Sequence, residues 1–168
     1  KYHVTEDVGT ELKRYQAGEL DITYDIPLAD LETLTAETPD EVRVFGSTYL
    51  IYYSFNLSNP DLQNPDLRRA LSLALDREVL EGKIVKAGGV PTLSYAGGFD
   101  PDYPAPQIAE ASMTQAEREA LAQELYAKAG YGPDNPLKLS IATTVAEVNI
   151  RRAQGVALMW KKVLGAEV

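Results

Sequence analysis

The chain has 168 residues, of which 45% are hydrophobic and 24% charged, a composition typical of folded globular proteins rather than disordered ones. Its 25 acidic and 16 basic side chains give a formal net charge of -9, which repels phosphate backbones and anionic lipid headgroups. No apolar run approaches the roughly 20 residues that a membrane-spanning helix needs. We therefore expect neither nucleic acid as a partner nor direct membrane insertion.

Side chains that commonly carry catalysis or bind metals are scarce. The sequence has no cysteine and a single histidine, His3, which excludes disulfides, thiolate metal sites and cysteine nucleophiles. A Ser-His-acid triad would have to use His3, and no G-x-S-x-G motif accompanies it. Glu19 and Asp21 lack the companions that glycosidase or calcium chemistry requires. The sequence predicts no enzyme, no cofactor and no metal site, with a hydrolase as the weakest alternative.

The first third of the chain alternates predicted helices and strands. Apolar residues at helical spacing predict a short helix that stops at Gly18. Residues 21–24 are predicted to form a strand, and Pro27 opens a second helix. Residues 42–45 and 49–56 are rich in β-branched and aromatic side chains, which favours two further strands, the second being the longest.

A strongly periodic helix is predicted next. Asn64 can cap it and Pro65 can occupy its first position. Asp76 can break and restart this helix, because aspartate competes for backbone donors at helix starts. Residues 88–113 are rich in glycine and proline and have no period, which predicts a long irregular crossing.

The last third begins with a capping box. Thr114 and Glu117 have the spacing of such a box, which predicts a helix start. Residues 137–143 alternate apolar and polar side chains as a strand does, and residues 145–164 follow as the longest predicted helix. Helices mixed with strands in one chain favour an α/β protein.

Five segments, met in this order, resemble the peptide and nickel binding family of ABC-transporter receptors, the largest of the periplasmic binding proteins. Each segment alone is a weak signal, but their shared order along most of the chain makes a chance match improbable. The segments are residues 12–22 (LKRYQAGELDI), 52–56 (YYSFN), 64–77 (NPDLRRALSLALDR), 127–131 (AKAGY) and 159–165 (MWKKVLG).

The resemblance implies a fold. The expected architecture is α/β: a fragment of a two-lobed periplasmic-binding-protein type II fold, with mixed sheets flanked by helices. Residues 1–51 would form part of lobe I and residues 52–168 part of an incomplete lobe II. In the family the lobes close around the ligand by hinge motion, and the acidic residue that grips a peptide's amino terminus would lie beyond Val168. The fragment alone is therefore expected to bind ligand weakly.

The resemblance also implies a function. The full-length protein is expected to be an extracytoplasmic, periplasmic receptor, with a lipid anchor as one possible form. It would bind oligopeptides or related small solutes and pass them to the membrane subunits of an ABC importer, without catalysis. The alternative is the ligand-sensing domain of a transcription regulator of the same fold, which an upstream DNA-binding helix-turn-helix would favour.

Five candidate ligand-binding residues lie in the predicted strand at residues 49–56: Tyr49, Tyr52, Tyr53, Ser54 and Asn56. Strand alternation would place Tyr52, Ser54 and Asn56 on one face and Tyr53 on the other. A strand edge can hold an extended peptide through backbone hydrogen bonds. The open alternative is that these tyrosines only pack in the core.

The start of the last helix carries two more candidates, Thr144 and Asn149. The resemblance implies that this helix start lines the cleft, where backbone donors favour carboxylates. Helical spacing places Asn149 on the same face as Val156 and Trp160. Local capping is the competing interpretation for Asn149, and Trp160 is predicted to be a core residue.

Overall fold

The computed structural model describes residues 1–45, 49–95, 102–104, 106 and 108–168. The chain divides into two compact units, Lys1–Phe45 and Gly46–Val168. Six of the seven candidate ligand-binding residues were expected in lobe II and Tyr49 in lobe I, and all seven lie in the second unit. The assignment of either unit to a lobe stays a prediction.

The first unit contains two helices with little buried surface. Helix α1 (Val8–Gln16) begins at Asp7, whose carboxylate accepts a 2.7 Å hydrogen bond from the Thr10 amide, and helix α2 (Leu28–Glu37) follows Pro27. Both helices were predicted, as was the stop at Gly18, which has a φ of 74°. Across residues 1–45, all of which are described, Leu12 is the one fully buried side chain.

The second unit contains four helices among its described residues. Short 3-10 turns precede α3 and α5, and α4 runs directly into one π-helical turn. None of the described helices is long and apolar enough to cross a membrane. The helices are α3 (Pro65–Leu73), α4 (Arg77–Val79), α5 (Gln115–Lys128) and α6 (Glu147–Leu164), with the π-helical turn at Leu80–Val85 and 3-10 turns at Asp61–Gln63 and Ala109–Ser112.

Side-chain caps start three of these helices, as predicted. The Asn64 side chain accepts from the Asp66 amide at 2.9 Å at the start of α3, and the Asp76 carboxylate accepts from the Val79 amide at 2.9 Å at the start of α4. Thr114 and Glu117 form the reciprocal capping box of α5. These bonds satisfy amides that have no partner within their own helix.

The core lies where α3, α5, α6 and the π-helical turn meet. Buried hydrogen bonds link these elements. The Trp160 indole of α6 donates to the carbonyl oxygen of Leu71 in α3 at 2.8 Å. The Tyr126 hydroxyl of α5 accepts from the Leu137 amide at 2.8 Å. Trp160 is 4% exposed, which confirms its prediction as a core residue.

The predicted sheets are absent from the described part of the chain, and the α/β prediction is wrong there. Bridges between described residues are isolated: Gly132 pairs with Asn135, and Lys138 pairs in parallel with Glu167. Residues 49–56, the longest predicted strand, are all described and carry no ladder. A strand is stabilised by backbone hydrogen bonds to a neighbour, and β-branched or aromatic composition does not supply that neighbour.

The same finding corrects the finer fold expectation. A fragment of a two-lobed type II fold with mixed sheets flanked by helices would show ladders at residues 21–24, 42–45 and 137–143. Those segments are described and have no ladder, apart from the single bridge at Lys138. Of the predicted irregular crossing at residues 88–113, residues 96–101, 105 and 107 lie outside the described residues.

Candidate functional site

Side chains at residues 52–56 alternate between solvent and core, although no strand ladder forms. Tyr52, Ser54 and Asn56 are exposed, whereas Tyr53 and Phe55 are half-buried against the core. Extended backbone gives this alternation whether or not a neighbouring strand is paired. One set of candidates therefore faces solvent, and Tyr53 lies beneath them.

An exposed pair of tyrosines marks the solvent face. The Tyr52 and Tyr95 rings meet edge to face, with centroids 5.1 Å apart and an interplanar angle of 70°, a favoured aromatic geometry. The pKa of the Tyr95 hydroxyl is raised, chiefly by its hydrogen bond to Tyr52. Tyr95 was not predicted as a site residue, because it lies in a stretch without any period. The pair offers an apolar surface with polar edges.

The remaining candidates on this segment have simpler surroundings. The Asn56 side-chain oxygen accepts from the Ser58 amide at 3.0 Å, so it shapes a local turn. Ser54 and Tyr49 are exposed. Asn56 thus has a structural role in a local turn. Ser54 and Tyr49 lie at the surface.

The start of α6 joins the two remaining candidates by a hydrogen bond. The Asn149 amide nitrogen donates to the Thr144 hydroxyl oxygen at 2.8 Å. The cap position of α6 is Ala146, which has no side-chain cap, so Asn149 does not act as the helix cap. Asn149 is half-buried and Thr144 is exposed, which places their polar atoms at the edge of the core.

A partly buried ion pair lies behind Asn149. The Arg152 guanidinium donates to both carboxylate oxygens of Glu81, with Nε–Oε1 at 2.8 Å and Nη2–Oε2 at 3.3 Å. Its third contact runs from Nη1 to the Asn149 Oδ1 at 3.2 Å. The Arg152 side chain is 6% exposed and that of Glu81 is 15% exposed. We call Glu81, Arg152, Asn149 and Thr144 the polar cluster.

Two local features bring the ion pair together. Glu81 lies on the π-helical turn Leu80–Val85, which packs against α6. At Gly155 an added Cβ would lie 2.6 Å from the Leu80 Cδ1, so glycine allows this close approach without a shift of Leu80. Neither ion-pair partner was predicted as a site residue, because 71 residues separate Glu81 from Arg152 and no motif relates them.

Tyr53 lies close enough to this ion pair for both charges to change the pKa of its hydroxyl. Burial raises the pKa of the Tyr53 hydroxyl, the positive charge of Arg152 lowers that pKa, and the negative charge of Glu81 raises it. The hydroxyl therefore stays protonated at neutral pH and keeps a donor hydrogen. Of the predicted site residues, the structure groups Tyr53, Thr144 and Asn149 around one ion pair.

A separate cleft of about 280 Å³ contains none of the predicted site residues. Two of its lining residues are the arginines Arg77 and Arg118. Arg77 donates to the Ser72 carbonyl at 3.0 Å, and Arg118 donates to the Met113 carbonyl at 2.6 Å. Burial lowers the pKa of Arg77, and Arg118 lowers it further. These guanidiniums bond one carbonyl near the end of α3 and one in the segment before α5, which is a structural role.

Comparison with known proteins identifies the family. A family described as "Bacterial extracellular solute-binding proteins, family 5 Middle" matches residues 1–168. The chain is 36% identical over 160 residues to the periplasmic murein peptide-binding protein MppA of Escherichia coli, covering 93% of this chain and 29% of MppA. It is 32% identical over 160 residues to the periplasmic oligopeptide-binding protein OppA of Salmonella typhimurium, covering 95% of this chain and 30% of OppA.

A solved structure agrees with the sequence relatives. The structure of the Escherichia coli murein tripeptide binding protein MppA superposes with a TM-score of 0.86 at 32% identity, covering 95% of this chain and 31% of that chain. The chain thus spans less than a third of the length of these relatives. The resemblance carried by the five segments is confirmed, and the chain belongs to the bacterial extracellular solute-binding proteins of family 5.

Proposed function

We propose that the full-length protein is a periplasmic receptor that binds oligopeptides or related small solutes and passes them to the membrane subunits of an ABC importer. The observation that carries this proposal is the match of the whole chain to the family, together with relatives named for binding oligopeptides and murein peptides. Those relatives are periplasmic binding proteins rather than transcription regulators, which favours the receptor over the sensor alternative.

The geometry at the start of α6 supports recognition of a ligand oxygen. Because the Thr144 oxygen accepts from Asn149, its own hydroxyl hydrogen is left to donate elsewhere. Asn149 has a second amide hydrogen, since only one is used on Thr144. Two adjacent donors at a partly exposed site suit a carbonyl or carboxylate oxygen, and peptides carry both groups.

The same residues offer little for bond breaking. The Glu81 carboxylate is held by the Arg152 guanidinium on both oxygens, which makes it an ion-pair partner rather than a base. Covalent catalysis needs a nucleophile within reach of an oriented base, and the described polar cluster contains no such pair. Reversible binding without catalysis is therefore the proposal.

Mass spectrometry of the full-length protein tests the proposal directly. Small molecules that remain bound through purification would be released by denaturation and identified, and intact peptides are the expected result. Incubation of these peptides with the protein should leave them uncleaved. Recovery of no peptide, together with no heat signal on titration with a peptide mixture, would count against the ligand class.

The donor pair makes a sharper prediction. Thr144→Ala and Asn149→Ala should each weaken peptide binding about threefold to tenfold, because a net hydrogen bond contributes roughly 0.5–1.5 kcal/mol. Isothermal titration calorimetry measures the affinity. Thr35→Ala is the control, since the Thr35 hydroxyl bonds only to the Leu31 carbonyl within α2. Unchanged affinity in both Thr144→Ala and Asn149→Ala would remove these residues from the site.

A further inference from the structure

We infer that the Glu81–Arg152 ion pair is a positioning device that fixes the side-chain amide of Asn149 with its N–H group facing the candidate binding surface. The inference rests on the proposed function and deepens it, because it assigns which ligand group the site selects, namely an oxygen that accepts a hydrogen bond. Neither Glu81 nor Arg152 was a candidate from the sequence.

The orientation follows from the chemistry of the three groups. A guanidinium has five N–H donors and no acceptor, so the Asn149 atom that faces Arg152 Nη1 at 3.2 Å is the oxygen. The nitrogen then points the other way, where it donates to Thr144 at 2.8 Å. Without the guanidinium, the two orientations of the amide would differ little in energy. Arg152 thus turns an amide that can donate or accept into a donor.

Glu81 keeps the guanidinium in place. The Glu81 carboxylate accepts hydrogen bonds from Nε and Nη2. The remaining guanidinium nitrogen, Nη1, then points toward Asn149. Arg152 and Asn149 lie three residues apart on α6, so they share a helix face. Gly89 leaves room for this carboxylate, because an added Cβ there would lie 2.7 Å from Glu81 Oε2.

Stability alone does not account for this pair. Removing two charges from water costs several kcal/mol per ion, and a well-packed apolar pair of similar volume is often as stable or more so. Glu81 also lies on a π-helical turn, a rare element that is frequent at functional sites. This pair is partly buried, and one guanidinium donor is bonded to a candidate ligand-binding amide. That arrangement fits a positioning role better than a purely structural one.

The expected consequence is selectivity. A fixed N–H group donates to a ligand oxygen and disfavours a ligand N–H group at the same place, whereas a freely turning amide tolerates both. A carboxylate is a pure acceptor, and its carboxamide counterpart is not. Wild-type protein should therefore prefer a peptide acid over the matching peptide amide, and loss of the ion pair should narrow that preference.

The experiment compares two doubly substituted full-length proteins. Glu81→Leu/Arg152→Met removes both charges of the pair at similar volume, so that no charge is left buried alone. Glu147→Leu/Arg151→Met is the matched control, because it removes an exposed ion pair from the same helix. Both proteins keep the net charge of wild type. Circular dichroism and urea unfolding establish that each is folded.

Isothermal titration calorimetry with three probes reads the selectivity. Tri-alanine carries a terminal carboxylate, tri-alanine amide carries none, and Ala-Glu-Ala amide carries one only on a side chain. For each protein we take the ratio of its affinity for an acid to its affinity for tri-alanine amide. This ratio should be about threefold to tenfold smaller in the Glu81/Arg152 variant than in wild type, and it should be unchanged in the control. The acid that shows the change identifies which carboxylate meets Asn149. An equal loss for all three probes would mean a structural role only and would overturn the inference.

A second readout needs no ligand. In wild type the Asn149 amide protons should show a nuclear Overhauser effect to Thr144 and separate chemical shifts, and the double variant should lose this contact while the control retains it. If tri-alanine and both amides fail to bind wild type, these peptides are not ligands and the proposed function loses support, yet the amide measurement still decides the positioning role. Retention of the contact in the Glu81/Arg152 variant would refute that role.

Discussion

Single residues join the helices of the second unit through buried polar contacts. Every buried side-chain nitrogen or oxygen within the described ranges has a hydrogen-bond partner. Leu71 is near the end of α3, where carbonyls have no intrahelical donor, and the Trp160 indole supplies one at 2.8 Å. The indole therefore satisfies a helix end as well as filling the core.

We predict that Trp160→Phe lowers the free energy of unfolding by about 2–4 kcal/mol. The change removes core volume and leaves the Leu71 carbonyl buried without its donor, and each of these effects costs on the order of 1–3 kcal/mol. Urea denaturation measures the loss. The control is Tyr95→Phe, which removes a hydroxyl from a side chain that is 69% exposed. Equal losses in the two variants would contradict the role of the buried bond.

At this scale the sequence predicts what depends on near neighbours. The position of Trp160 in the core and the placing of Asn149 near the start of α6 follow from helical periodicity. The partnership of Glu81 with Arg152 does not, since it depends on how the π-helical turn meets α6 across 71 residues of chain. Tyr95 was missed for a similar reason, because its contact with Tyr52 comes from tertiary structure.

Helices were predictable at the scale of elements, and strands were not. Caps and periodicity are local, so the predicted starts at Asn64, Asp76 and Thr114 are confirmed. A ladder requires a second segment at the right distance, and residues 49–56, all of them described, form no ladder. The alternation of their side chains was nevertheless predicted, because it needs only an extended backbone.

The capping box of α5 predicts a dependence of stability on pH. The Glu117 carboxylate accepts from the Thr114 amide at 2.7 Å and from its hydroxyl at 2.8 Å. These bonds, the backbone one first, lower the pKa of Glu117 below its ordinary value of 4.5. A lowered folded-state pKa means that the stabilisation is complete above the unfolded value and is lost as the pH falls through the folded value.

Glu117→Gln should therefore be less stable than wild type at pH 7, and the difference should shrink as the pH falls below about 4.5. Urea unfolding at pH 7 and at pH 3 measures it. Glu124→Gln controls for the loss of one negative charge from the exposed face of α5. A stability difference that stays constant with pH would show that the carboxylate bonds do not stabilise the helix start.

On the scale of the whole chain, burial is uneven. Leu12 is the one fully buried side chain of residues 1–45, whereas the second unit has a continuous core built on α3, α5 and α6. Local opening is easier where few apolar contacts must be broken. The two units should therefore differ in local stability, measured as the hydrogen-exchange rates of the backbone amides in each unit.

Hydrogen exchange of the 168-residue chain tests this difference. Amides in α1 and α2 should exchange at least about tenfold faster than those in α3, α5 and α6, after correction for intrinsic rates, since each factor of ten corresponds to about 1.4 kcal/mol of opening free energy. Mass spectrometry of peptic fragments gives the rates. Protection of α2 equal to that of α5 would contradict the expectation.

The absence of a side chain at Gly155 has a mechanical consequence. The Leu80 Cδ1 lies 2.6 Å from where a Cβ would stand, so a larger residue at position 155 would force the Leu80 side chain to move away from α6. The glycine thus lets α6 pack closely against the π-helical turn. Because Glu81 is on that turn and Arg152 is on α6, the same close packing brings together the ion pair that lies behind Asn149.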